Sequence, residues 1–252
     1  MGVRLFSSKS EYESAEAREA INAIPYCVAL ECSSRGHAIK FSLPTSKCPG
    51  ASRALGLTPP SRDYHEGTSA FELGLYRDVE VAAHVAQEMK NADKHYYGVE
   101  IKPALQFRDS PDVFIVVDNA MCIMRIVQGH SYHFASTNNF AMRGNQAFCV
   151  ELTTTPLNTD EINVSLLCSG TRYSAGWDES ELAVGIPRSC VAKVADGVRQ
   201  SANATEPDER KTLIRNALRK IGDLAPDICD KEAYYHLQNR KNKQRKESNG
   251  QV

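Results

Sequence analysis

The chain has 252 residues, 42% hydrophobic and 24% charged, with 30 Lys and Arg against 31 Asp and Glu for a formal net charge of −1. This length and apolar share support one substantial core rather than a disordered chain. A near-zero charge provides no global field for gathering nucleic acid or an anionic membrane surface, and the longest buried-looking run, Val113 to Val117, is strand-sized, far too short to span a bilayer.

The first residues, MGVRLFSSKSEYE, turn polar too soon for a secretory signal, and Phe6 stands where a myristoylation signal needs a hydroxyl. The cytoplasm is the expected compartment. There the eight cysteines (Cys27, Cys32, Cys48, Cys122, Cys149, Cys168, Cys190 and Cys229) read as thiols or ligands rather than a disulfide framework. From Glu11 to Ala23, charges and alanines at helical spacing predict a helix closed by Pro25. Tyr26 to Leu30 and Ala38 to Phe41 then predict a β-hairpin around Gly36. The stretch Cys48 to Leu57 reads as a loop that delivers a cysteine to a helix N-terminus, a setting that favours thiolate.

Helices are expected around Ala70 to Leu75 and Val79 to Asn91, followed by an extended segment, Tyr97 to Ile101. The β-branched run Asp112 to Val117 is the expected central strand, with a helix from Ala120 to Val127 after it. A connection rich in asparagine and glycine leads to Asn145 to Leu152, which carries Cys149. Ile162 to Leu167 predicts a second strand that ends at Cys168, where ligands collect in open α/β sheets. Beyond Pro187 the pattern is helical: Cys190 to Ala202, Glu206 to Gly222 and Lys231 to the end. The expected fold is therefore α/β or α+β, a central mixed sheet flanked by helices. Residues 1–205 form the domain with the cysteine-lined site, and residues 206–252 form a helical extension packed on it. The basic tail Arg240 to Lys246 reads as a solvated helix end, because nothing else in the chain has the basic and aromatic pattern of a nucleic-acid surface.

The sequence has no phosphate loop, GxGxxG, GxSxG elbow, HExxH or paired CxxC, so any site must be assembled from distant positions. Four blocks stand out: CPGASRALGL at Cys48, SPDVFIVVDNAMCIMRIVQG from Ser110, GNQAFC ending at Cys149, and LLCSGTRYSAGWDESELAVGIP from Leu166. Together they resemble the signature blocks of the uncharacterised domain of unknown function 169 family, over most of the chain from about Pro25 to Val194. The N-terminal segment Tyr26 to Leu30 departs from the strand expected by that resemblance.

The resemblance separates Cys48, Cys149 and Cys168, which fall in matching blocks, from the other five cysteines, read as structural or incidental. A single cysteine is ordinarily a small buried side chain. Three that converge at a sheet edge are the right number to hold a [4Fe–4S] cluster with one iron open to substrate. Zinc, completed by His37, His65 or water, is the alternative, though zinc sites usually draw ligands in close sequence pairs. Near Cys168, Arg172 is suited to orient an anion, and Asp178 and Glu181 to exchange protons. Their structural alternative is a helix capped by Asp178 over Glu179 to Ala183, with Arg172 paired on the surface. The functional expectation is a cluster-dependent lyase or sulfur-handling enzyme acting on a small polar or anionic molecule. A non-catalytic small-ligand binder or sensor and a metal-free enzyme with Cys168 as nucleophile are the alternatives, and homo-oligomerisation is left open.

Overall fold

A computed structural model describes residues 1–136, 139–201 and 209. Strand β1 (Gly2–Phe6) is followed by helix α1 (Lys9–Ser14), strand β2 (Arg18–Glu19), helix α2 (Tyr26–Ser34) and strand β3 (Ile39–Ser42). Next come helices α3 (Pro49–Ala54), α4 (Arg62–His65), α5 (Thr68–Glu72) and α6 (Val79–Glu88), then strands β4 (Gly98–Lys102) and β5 (Val113–Asn119). Helix α7 (Ala120–Phe134) leads to a π-helix, π1 (Ala147–Thr154), then α8 (Thr155–Thr159) and β6 (Asn163–Ser165). A second π-helix, π2 (Gly170–Ser174), precedes β7 (Glu181–Pro187) and α9 (Arg188–Gln200).

The seven strands form one mixed sheet in the order β2-β3-β4-β1-β5-β7-β6, with β2 and β3 parallel and the other pairs antiparallel. The chain therefore has the expected α/β architecture. Strand β5 takes the interior place read for it, between β1 and β7, and its register with β7 runs from Val113 opposite Pro187 to Asn119 opposite Glu181. Register also sorts the side chains, since strand residues alternate between faces. Val3, Leu5, Phe41, Val99, Ile101, Val113, Ile115 and Ala183 share one face and are buried in a single core with Tyr26, Ala29 and Leu30 of α2, Ala51 and Ala54 of α3, and Phe148 and Leu152 of π1. Arg4, Lys40, Glu100 and Lys102 lie on the opposite face.

Three expectations are corrected. The first half of the supposed hairpin is helix α2, which begins directly after Pro25; proline, with its fixed φ, opens this helix rather than closing an earlier one. The helix expected from Glu11 to Ala23 spans only Lys9–Ser14, capped by Ser8 and Glu11 in a reciprocal box, before the chain extends into β2. Glu179 to Ala183 is not a helix capped by Asp178, because β7 pairs with β5 from Glu181 onward and with β6 from Ala183 to Gly185. Strand β6 is also shorter than the expected segment Ile162 to Leu167. The helices read over 206–222 and 231–252, and the boundary at 205/206, lie outside the described residues.

Two compact units divide the chain: Met1–Met124 with Thr137–Val191, and Arg125–Ser136 with Ala192–Val252. Within the second, α7 and α9 cross at a pair of glycines; a methyl group on Gly197 would lie 2.0 Å from the Gly129 carbonyl oxygen. Close backbone approach at that crossing requires glycine. Among the described residues no helix is long and apolar enough to cross a membrane.

Candidate functional site

Cys48, Cys149 and Cys168 come from separate segments that pack in or against one apolar core, and the structure adds Cys27. Cys48 is the N-cap of α3, where Pro49 is preset for the first helical turn and the Ala51 amide donates to Cys48 Sγ at 3.5 Å. Ser52 Oγ fixes the approach to it by bonding Ser46 Oγ at 2.7 Å and the Cys48 carbonyl at 3.1 Å.

Cys149 lies in π1, whose eight residues are all buried. The wider π turn, bonding i to i+5, is rare and costly, and it recurs at functional sites. Here it has local support. Thr153 and Thr154 donate their hydroxyls back five residues, to Phe148 O at 2.6 Å and Cys149 O at 3.1 Å. Tyr26 at the start of α2 joins Thr153 Oγ1 at 2.8 Å, tying α2 to the same helix. Gly185 of β7 brings π1 onto the sheet, because a methyl group there would lie 2.1 Å from the Leu152 carbonyl oxygen. Gln146, at φ 54°, starts π1 in the left-handed region, and its carbonyl accepts from Cys149 Sγ at 3.6 Å.

Cys168 follows Leu167, itself at φ 67°, a strained value for a branched side chain. The turn is held from both sides: the Cys168 amide donates to Thr171 Oγ1 at 2.9 Å, and the Thr171 hydroxyl donates to the Cys168 carbonyl at 2.6 Å. Cys27, in the first turn of α2, donates its thiol to the Gly170 carbonyl at 3.7 Å. The same Gly170 would place a methyl group 3.9 Å from Cys168 Sγ. Cys27, Cys48, Cys149 and Cys168 all belong to or pack against the one apolar core.

Electrostatics links the four sulfurs. Burial pushes the Cys149 thiol well up, and negative charge on Cys48 or Cys168 pushes it further. Burial raises Cys27 to about 11, again with contributions from Cys48 and Cys168. Ionisation of Cys27 and Cys149 is thus opposed both by burial and by the sulfurs beside them, a situation that a bound cation relieves. A single tetrahedral ion would need sulfurs about 3.8 Å apart, from bonds of about 2.3 Å. Among the described residues no group of three or more His, Cys, Asp or Glu is gathered for one ion. A cluster sets its ligands wider, because its own iron and sulfide atoms stand between them.

The other expected site residues serve the turn around Cys168. Arg172 donates to the Leu166 carbonyl at 2.9 Å, the Glu181 carbonyl at 2.8 Å and the Asp178 carbonyl, so it draws three segments together. Glu181 accepts from the Asp178 amide at 2.7 Å, and Asp178 accepts from the Ser180 amide at 2.9 Å. The Ser180 hydroxyl, then its amide and the Arg172 charge, hold the exposed Asp178 carboxyl below its ordinary range. His37 and His65 are exposed. Cys32 lies five residues after Cys27 on α2 and so points to another side of the helix. Cys190 bonds the Asp160 carbonyl at 3.4 Å, Cys122 is half-buried on α7, and Cys229 lies outside the described residues.

Two buried donors in this corner have no hydrogen-bond partner, Trp177 Nε1 and Arg53 Nε. Trp177 stacks at a tilt on Phe148, 5.5 Å between ring centres, next to Cys149 in sequence. Unpartnered N–H groups beside soft sulfur donors fit a ligand that accepts hydrogen bonds, as cluster sulfides do.

A family model described as "Uncharacterised ArCR", domain of unknown function 169, matches residues 1–197. The chain is also similar to the uncharacterised protein MJ0308 of Methanocaldococcus jannaschii, 22% identical over 152 residues that cover 60% of this chain and 65% of that protein. The chain thus spans just under two thirds of that relative's length. No solved structure matches it.

Proposed function

The chain belongs to the domain of unknown function 169 family, and from that premise we propose that its corner of cysteines binds an iron-sulfur cluster through Cys48, Cys149 and Cys168. One observation carries the proposal: three sulfurs from separate parts of the chain pack in or against one apolar core, where Cys48 and Cys168 each help to hold the Cys149 thiol up. Cys27 stands beside them as a fourth thiol. The donors fit the group: they are soft sulfurs, and the two unpartnered N–H groups nearby offer hydrogen bonds to sulfide. An iron with an open position supplies Lewis-acid chemistry, which suits a lyase or sulfur-handling reaction on a small polar or anionic molecule. Arg172, through its three carbonyls, keeps Cys168 presented. Trp177 and Phe148 exclude water from the buried side. Zinc is ranked second, since no two of the three cysteines are close in sequence. Free thiols at Cys27, Cys32, Cys48, Cys149 and Cys168 suit a reducing compartment, which for this reading is the cytoplasm.

Iron and acid-labile sulfide analysis of protein purified without oxygen tests the proposal. The expected result is about four irons and four sulfides per chain, lost when Cys48, Cys149 or Cys168 is changed to serine. Protein that carries neither iron nor sulfide, or that keeps both in all three variants, sinks it. In Cys27→Ser, retained iron identifies a three-cysteine site with an open iron. Complete loss identifies a closed four-cysteine site, which serves electron transfer or structure and lowers the lyase reading.

A further inference from the structure

Arg53 differs from other arginines of the chain. Arg62, Arg77, Arg108 and Arg188 each hold a carboxylate, and Arg172 holds three carbonyls. Arg53 has no acidic partner among the described residues; its guanidinium lies 3.5 Å from the centre of the Tyr64 ring, and its one hydrogen bond is long, from Nη2 to Gln146 Oε1 at 3.5 Å. Its Nε is buried and bonded to nothing. The hydroxyl of that ring is engaged by Ala86 O, Met89 Sδ and Asn91 Nδ2. A half-buried cation held by an aromatic face and one long hydrogen bond retains most of its hydrogen-bonding capacity for something else.

Gly50 shows where that capacity is directed. A methyl group on Gly50 would stand 3.8 Å from Cys48 Sγ, 3.8 Å from Gln146 Cδ and 3.9 Å from Arg53 Nη2. A thiol, an amide side chain and a guanidinium therefore face one point that glycine leaves bare. We propose that this point is an oxyanion subsite, in which Arg53 and Gln146 hold the carboxylate or phosphate group of a small molecule beside Cys48. A guanidinium forks onto such a group with two N–H donors, and the Gln146 amide nitrogen, one of whose hydrogens goes to Met89 Sδ at 3.4 Å, has a second N–H to give. The placement of the anion at a metal-bearing corner rests on the reading above, but the anion site itself does not. It also gives Arg53 the orienting role that sequence alone gives to Arg172, whose donors are already occupied.

The test is a calorimetric titration of the full-length protein with malonate and with inorganic phosphate at low ionic strength, on both iron-loaded and metal-free samples. Wild-type protein is expected to bind at least one of the two saturably, and which one it prefers tells carboxylate from phosphate. Arg53→Met is expected to weaken binding at least about tenfold, the value of hydrogen bonds to a charged group. Gly50→Ala is the second variant, since its methyl group meets only ordinary contacts and so occupies the subsite without disturbing the fold. It is expected to weaken binding in the same direction. Failure of wild-type protein to bind either anion overturns the inference, as does wild-type affinity in Gly50→Ala, or in Arg53→Met with an unchanged circular dichroism spectrum. Anion binding by protein that takes up no iron leaves the subsite standing and removes the cluster; iron without anion binding does the reverse.

Discussion

The two faces of the sheet bury polar groups in opposite ways. On one, Lys40 donates to the carbonyls of Tyr12 at 2.8 Å and Ala15 at 2.9 Å, and Lys102 pairs with Glu100 at 3.0 Å. These groups lie at or beside a cleft of about 200 Å³ that is also lined by Arg4, Glu11, Glu16, Arg108 and Asp109, charges of both signs. Arg108 meets Glu16, and Arg4 meets the Asp109 carbonyl. On the other face, four thiols, the Trp177 indole N–H and Arg53 Nε are brought together with few partners or none. Burial of a polar group costs free energy unless it is matched. The first face matches its charges from within the chain and is complete. The second leaves its groups short of partners, which is the contrast on which the proposed site rests.

The largest expected effect breaks the complete face. Lys102→Met leaves Glu100, only 1% exposed, without its cation, and a loss of about 3–5 kcal/mol in guanidinium unfolding is expected. Iron content should not change, because the sheet separates the two regions. A loss of iron in folded Lys102→Met would show that the faces are not independent.

A smaller effect sharpens the contrast from the cysteine side. Burial raises Cys149 and Cys27 above their unfolded values, so folding favours the protonated thiols. In metal-free protein that stability is fully present below the unfolded thiol pKa of about 8.5 and is lost as pH rises through the folded values. Unfolding free energies between pH 7 and 10 should fall toward a limiting slope of about 1.4 kcal/mol per pH unit per thiol. Cys149→Ala should flatten the curve. Iron uptake should run the other way, stronger at higher pH, because binding must displace the thiol protons.

The smallest effect concerns Glu151, which shares π1 with Cys149 but faces β6, where its carboxylate accepts from Ser165 Oγ and the Arg143 amide. Burial outweighs those bonds and raises its pKa, so its contribution falls as pH climbs from the unfolded value near 4.3 through the folded one. Glu151→Gln should remove that dependence and hold stability at neutral pH, with a gain of up to about 1 kcal/mol. A clear loss at neutral pH would mean that the ionised carboxylate is needed, and that this side of π1 is matched less like the complete face than its hydrogen bonds imply.

Much of the scaffold was legible in sequence because it follows simple periods. β5 is a β-branched run, β4 and α6 lie where alternation and amphipathic spacing put them, and Cys48 does open a helix. Tyr26 to Leu30 was misread because a short apolar run fits a strand or a buried helix equally well, and tertiary packing decides. That misreading hid Cys27: on a hairpin its direction was open, whereas the first turn of α2 turns it to Gly170. The π turns left no trace, since eight residues are too few to separate their period from that of an α-helix. Glu181 to Pro187 read partly as helix because its acidic, serine-containing start resembles a cap, while strand pairing with β5 and β6 settles it. Arg53 gave no signal, because what sets it apart is the acidic partner it lacks in space.

Cys48 and Cys149 are roughly 100 residues apart in sequence, and Cys168 follows after about 20 more. A group gripping all three therefore acts as a clasp on the chain as well as a reagent. In the chain-entropy account, a cross-link over about 100 residues disfavours the unfolded ensemble by about 5 kcal/mol. On that reading loading and folding reinforce each other, and the loaded chain is expected to unfold at higher denaturant than the metal-free one.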